Sequence, residues 1–293
     1  MKQALCLLLL LSLGIHASAQ NLRKQSREFT FTSLGVNGLV GGIGALVNKK
    51  DGEKAGKVFW KGFGQGCLGG AFQIAGKAFT YQINDKKNLS YGWAARITNA
   101  IGSSIAQNAA NNINFWERWH FNFGLFRFDY HVKEKKFQAR LFPSAFYGTF
   151  VAARQAKFSL KETLKTGVMV YRKKGNVSAW GLNANGLAFV SSIVYDETLS
   201  RDEYHSLMAH EVVHILQYDN MVWLNPFFNR WDQKLKNNSK AYKNLSEYVY
   251  FDFNGLTILG LYRMQLSKDW DCRFIERQAN HYSRRIPMPR CND

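Results

Sequence analysis

Cysteine is scarce in this chain. Among 293 residues there are four: Cys6, Cys67, Cys272 and Cys291. Cys6 falls in an N-terminal leader, which leaves three. At most one intramolecular disulfide then forms, and a disulfide-built scaffold is excluded. Acidic residues are also few, 21 against 39 Lys and Arg, for a formal charge of +18. Loss of Lys2 with the leader makes this 18 − 1 = +17. Signals for nucleic acid are missing: there is no RNP-like motif, no zinc-knuckle spacing and no long Arg/Lys run. No nucleic-acid partner is therefore expected, and the basic balance favours an anionic membrane or envelope surface. No internal repeat occurs, and charge is expected to interrupt each apolar run before the roughly 20 residues of a membrane span.

Residues 1–19 read as an address. Lys2 gives a positive start, LCLLLLLSLGI a short apolar run, and Ala17-Ser18-Ala19 an A-x-A cleavage site. The expected product starts near Gln20 and is exported in bacterial style, to the periplasm or beyond. In that setting Cys272 and Cys291 are the expected disulfide pair, tying the tail to the preceding helix, and Cys67 is expected to be a buried free thiol.

Residues 20–114 are rich in Gly, Ala, Asn and Gln. GVNGLVGGIGALV (35–47) is too Gly-rich for an ordinary soluble helix. In 57–79, Lys57, Lys61, Gln65, Gln73 and Lys77 recur at multiples of four as a polar stripe, and Gly62, Gly66 and Gly70 form a second row that lets helices approach closely. A third helix is expected over 91–110 with Ser90 as N-cap. Two readings fit this zone: a plain helical subdomain, or a membrane-associated segment.

Residues 115–293 are expected to form one domain. FRFDYHV (126–132) alternates Phe126, Phe128, Tyr130 and Val132 with polar residues, the pattern of a half-buried strand. KKFQARLF (135–142) and GVMVYRKKG (167–175) read as further strands. VSAWGL (177–182) and GLAFVSSIVY (186–195) read as two strands around an Asn183-Ala184-Asn185-Gly186 turn, completing an antiparallel meander. Residues 158–166 fit either a short helix or a strand. Ser200-Arg201-Asp202-Glu203 is a capping box that starts a helix with Tyr204, Leu207, Met208, Val212, Ile215 and Leu216 along one apolar stripe. Segment 219–266 is aromatic and irregular. A last helix is expected from about Asp269 to Arg285, stopped by Pro287 and Pro289. The fold class is α+β: a β-meander, then two helices, behind a Gly-rich helical N-terminal segment.

The chemistry concentrates in MAHEVVHILQ (208–217), which holds His210-Glu211-Val212-Val213-His214, an H-E-x-x-H pattern. On a helix, positions four apart differ by about 40° and stack one turn above the other, so both histidines can hold one metal. Glu211 projects beside them as a general base toward water. A third ligand, His or acid, must come from a later element. No histidine follows at the metzincin spacing. His205, five residues before His210, is off that face, and His16, His120 and His131 have no partner pattern. By position alone Asp219, Glu247, Asp252 and Glu276 stay open.

Glu276-Arg277-Gln278-Ala279-Asn280 resembles the E-x-[EQ]-A-[DN] signature of gluzincin metallopeptidases, and with H-E-x-x-H it is distantly similar to the group of the CAAX prenyl protease and HtpX. The likeness covers about 35 residues, and Asn280 stands where Asp is commoner. The resemblance implies Zn2+ held by His210, His214 and Glu276, Glu211 as general base, and a peptide or protein substrate. Asn280 would support the site, and His281, Tyr282 and Arg284 are candidates to stabilise an oxyanion. The function expected is that of an exported zinc metalloendopeptidase, with the strand before the active-site helix pairing with substrate. The rivals are a non-catalytic envelope or membrane-binding protein and a secreted toxin-like effector.

Overall fold

A computed structural model describes residues 20–179, 182–253 and 269–284. Residues 1–19, Trp180, Gly181, the stretch 254–268, Cys291 and both late prolines lie outside these residues. Cys272 is disulfide-bonded, and Cys67 is a free, half-buried thiol.

Three long helices come first: α1 (Gln20–Val47), α2 (Ala55–Asp85) and α3 (Tyr91–Ala110). The chain stays helical through the glycines of 35–47 because all but Gly35 are contact points. A Cβ on Gly41 would collide with the Gly62 carbonyl, one on Gly66 with the Asn37 carbonyl, and one on Gly69 would stand 2.6 Å from the Gly102 carbonyl. Absent side chains bring the backbones together, and the packing gained offsets the poor helix propensity of Gly. Residues 29–47 carry no charge, and Gln25–Val47 is long and apolar enough to cross a membrane. The expectation that charge interrupts every apolar run fails for this helix. Only 33% of its most apolar window is buried in the protein. The expected polar stripe of α2 is split: Lys57 and Lys61 are exposed, whereas Gln73 and Lys77 are buried. Ser90 occupies the N-cap position of α3 without a side-chain cap bond, and its own N–H is held by Asn88 Oδ1 at 3.0 Å.

A three-stranded antiparallel meander follows, β1 (Arg118–Phe123), β2 (Phe126–His131) and β3 (Lys136–Leu141). Its faces are inverted. Arg127 and Asp129 are buried, while Phe126, Tyr130 and Phe137 are exposed. The reason lies in α3, whose surface here is polar. His120 sits between Ser103 and Ser104, at 2.9 and 3.1 Å, and Arg127 donates to Gln107 Oε1 at 2.9 Å. Asp129, held well below the usual carboxylate range, accepts from Arg127 and Arg140. Burial opposes that charge, and the two guanidiniums outweigh it.

Next come α4 (Pro143–Gln155), β4 (Lys157–Phe158), α5 (Leu160–Thr166), β5 (Met169–Lys173), β6 (Val177–Ala179), β7 (Leu182–Ala184), β8 (Gly186–Phe189) and β9 (Ser192–Asp196). Two expectations need correction. The meander does not continue: the second sheet has the order β4-β5-β9-β8, and β5 pairs with β9 in parallel, with β6–β8 making the crossover. Nor is Asn183–Gly186 the hairpin turn, since β6 pairs with β7 and GLAFVSSIVY is itself a hairpin. That hairpin turns at Val190, φ +50°, where a β-branched residue is least expected. Gly186 serves packing instead, because a Cβ there would stand 2.7 Å from the Leu207 side chain.

Helix α6 (Arg201–Asn220) carries the expected capping box at Ser200 and Glu203. Its apolar stripe packs on β5 and β9 through Val170 and Ile193, and Val213 on another face packs with Phe29, Ala279 and Tyr282. A 3-10 turn (Val222–Phe228), α7 (Asn229–Asn238) and α8 (Lys240–Tyr248) give structure to the described part, up to residue 253, of the segment 219–266 that reads as irregular. The last helix is shorter than expected. A 3-10 turn (Trp270–Cys272) precedes α9 (Phe274–Ser283), which ends where Arg284 turns left-handed, φ +48°.

Two glycines two residues apart, on opposite faces of α2, test the role of close approach. Gly66→Ala should lower stability by about 1–3 kcal/mol, as overpacking does. Gly64, whose Cβ would meet nothing within 4 Å, should gain up to about 1 kcal/mol as Ala. Denaturant midpoints check both, and equal effects would refute this account of the glycine row.

Candidate metal centre

Helix α6 sets His210 and His214 one turn apart, and α9 lies across them with Glu276. The Nε2 atoms of the two histidines are 3.0 Å apart. Each stands 3.3 Å from Glu276 Oε2. Among the described residues these three form the one group of His, Cys, Asp and Glu close enough to hold a metal ion. Ligand atoms about 2.0–2.1 Å from a tetrahedral metal stand roughly 3.3 Å from one another, so the triangle has the size such an ion needs. Two imidazole nitrogens and a carboxylate oxygen suit a borderline divalent cation. Glu211 lies within electrostatic reach of His214. All four side chains are buried, at 4–5% exposure.

Without a cation the pair is electrostatically coupled. Burial works against a charged His214, but Glu276 beside it wins and moves the imidazole up to about 9. Burial likewise opposes the Glu276 carboxylate, which the histidines hold well below its ordinary range. A metal binds the deprotonated donors, so its uptake releases the proton that this pair shares.

Behind these three residues runs a hydrogen-bonded chain that the sequence did not announce. His214 Nδ1 donates to Gln217 Oε1 at 2.8 Å, which leaves Nε2 free as donor atom. Gln217 Nε2 donates to the Ile275 carbonyl and to Gln278 Oε1, both at 3.0 Å. Lys77 Nζ of α2 donates to the same Gln278 oxygen at 2.8 Å. Gln217, at i+3 from His214, could have been found by helical spacing. Lys77 could not, because 201 residues separate it from Gln278. On the other histidine, His210 Nδ1 is buried without a hydrogen-bond partner.

The other candidates fall as follows. Asn280 is buried one turn beyond Glu276, with its Oδ1 unpartnered. His281 lies edge-on to Phe29 at 5.2 Å, and burial pushes it down to about 4. Tyr282 belongs to the apolar cluster of Phe29 and Val213, and burial raises its phenol. Arg284 stacks on Tyr81 at 3.8 Å. None of the other acids enters the group. Asp219 accepts from Asn122 at 2.9 Å and faces Arg96, Glu247 pairs with Lys136 on the surface, and Asp252 accepts from Ser144 at 3.3 Å. His205 bonds the Arg201 carbonyl at 2.7 Å.

Two outcomes follow from the chain of hydrogen bonds. Gln217→Leu should weaken metal binding about 10–100-fold, as loss of such outer partners does, with helix content intact; competition with a chromophoric chelator measures it. Lys77 has its pKa lowered by burial from 10.5 to about 8. The folded protein then loses this proton earlier than the unfolded chain, so Lys77 adds stability as pH rises from about 8 toward 10.5. Lys77→Met should remove that rise, which melting curves across this range would show. In comparisons with known proteins, no family model matches the chain, and no curated protein or solved structure matches it significantly.

Proposed function

We propose that the protein is a zinc-dependent metallopeptidase of gluzincin type. The observation that carries this reading is the triangle of His210 Nε2, His214 Nε2 and Glu276 Oε2, with sides of 3.0, 3.3 and 3.3 Å, beside a buried carboxylate at Glu211. These three residues would hold the zinc, which when bound polarises a carbonyl and makes water acidic enough to attack near neutral pH. Glu211 takes the proton from the attacking water and returns it to the departing amine. Gln217 keeps the His214 ring in one tautomer and orientation through both steps.

A peptide substrate is supported by the sheet. Strand β8 is its edge, and an extended peptide can add to such an edge by backbone hydrogen bonds. Gly186 of β8 touches Leu207, which is one helical turn before Glu211. The edge strand therefore lies on the general base's side of α6. The leader-like residues 1–19 and the basic charge support work outside the cytoplasm, at or beyond the periplasm.

Burial of all four side chains favours a second reading, in which the ion is structural and ties α9 to α6. Peptide hydrolysis and metal content separate the two. In the catalytic reading Glu211→Gln retains zinc and loses about 100-fold or more in rate, while Glu276→Ala loses zinc and activity together. A structural ion predicts no metal-dependent hydrolysis in the wild type. Purified protein without stoichiometric metal would sink both.

A further inference from the structure

The hairpin of α1 and α2 leaves an apolar patch uncovered beside its connecting loop. On α1, Leu39 is 50% and Ile43 46% exposed, and on α2 Trp60 is 67% exposed. Trp60 lies edge-on to Phe59 and Phe63, with ring centroids 5.1 and 5.6 Å away. Those two rings rest on α1 at Gly42 and Gly38, where any Cβ would collide with them. The five side chains thus form one surface, built from adjacent positions on two helices.

Lysines frame it. Residues 48–61 contain Lys49, Lys50, Lys54, Lys57 and Lys61 against Asp51 and Glu53, a net charge of 5 − 2 = +3. All but Lys49 of these lysines are exposed. Glu53 is occupied within the protein, accepting from Lys50 N–H and from Asn112.

We propose that this patch docks the protein on an anionic lipid bilayer, with Leu39, Ile43 and Trp60 at the acyl boundary and the lysines among the headgroups. Charge complementarity selects this occupant. Two copies of the chain meeting through the patch would face like charge with like charge, whereas anionic lipid neutralises both the loop and the first turns of α2. Tryptophan favours this depth because its ring is apolar and its N–H stays wet. Helix α1 lies along the surface and does not span. Its inner face is committed to protein, through the reciprocal amide pair of Asn37 and Gln73 at 3.0 and 3.2 Å, and through glycines in backbone contact with α2. The docking reading stands independently of the metal centre.

The test is co-sedimentation of the protein, purified after export, with vesicles of phosphatidylcholine alone or mixed with phosphatidylglycerol. Binding should require phosphatidylglycerol and fall with salt. Trp60→Ser with Ile43→Ser should reduce partition about tenfold or more. Lys57→Glu with Lys61→Glu should do the same and flatten the salt dependence. Phe137→Ser, which changes an aromatic side chain 64% exposed on the β1–β3 sheet and outside the patch, should leave binding unchanged, and unaltered melting and metal content show that the variants fold. Equal binding by the Trp60/Ile43 variant would overturn the proposal, as would an equal loss with Phe137→Ser. So would a concentration-dependent dimer that the Trp60/Ile43 variant dissolves while vesicles stay unbound, since the occupant is then a second copy.

Discussion

Glu276 Oε2 stands 3.3 Å from both His210 and His214, and holding that contact requires two helices to keep their register. Packing around α6 supplies the constraint. Its apolar stripe lies on β5 and β9, Val213 meets Phe29 and Ala279, and Asn99 of α3 exchanges amide hydrogen bonds with Asn220. A slip of one residue in α9 would swing the carboxylate by about 100° around its helix and out of the group. The same slip would break the bonds that Gln278 makes with Gln217 and Lys77. Polar and apolar contacts therefore specify one alignment together.

The first helices keep an unusual division of labour. Many of their contacts are made by Gly, Asn, Gln, Ser and Thr, alongside alanines and a few apolar side chains such as Phe29 and Ile83, while bulky side chains such as Phe31, Trp60 and Phe79 point outward. The β1–β3 sheet repeats the arrangement, with arginine and aspartate inside and aromatics outside. Buried polar groups of this kind are stable only when partnered. Here most are: Arg127 bonds Asp129 and Gln107, and its guanidinium lies 4.2 Å over the Tyr250 ring.

The sequence disclosed the parts of this structure that are written locally. The H-E-x-x-H spacing, the capping box at Ser200 and the strands at 126–131 and 136–141 each depend on neighbours a few residues away. Alternation along Phe126–Tyr130 showed a strand with two unlike faces, yet period alone does not say which face is buried; the polar surface of α3 decides that. Asn183–Gly186 carried turn chemistry that Gly186 spends on packing against Leu207. Glycine at 35–47 lowers helix propensity, and only its distant partners in α2 and α3 reveal why it is there. Lys77 was visible as one of a row of polar residues, but its partner comes from the far end of the chain.

The distance between those partners bears on how the protein matures. His214 and Glu276 are 62 positions apart, and the bond that ties α2 into their support spans 201. Loop closure over such lengths delays contact formation. The histidines can meet as soon as α6 forms, but the group of His210, His214 and Glu276 is complete only when α9 has docked on α6. In the proposed metalloprotein, capture of the ion would thus be a late step of folding, and a chain threaded unfolded through a translocation pore would acquire its cation from the compartment in which it folds.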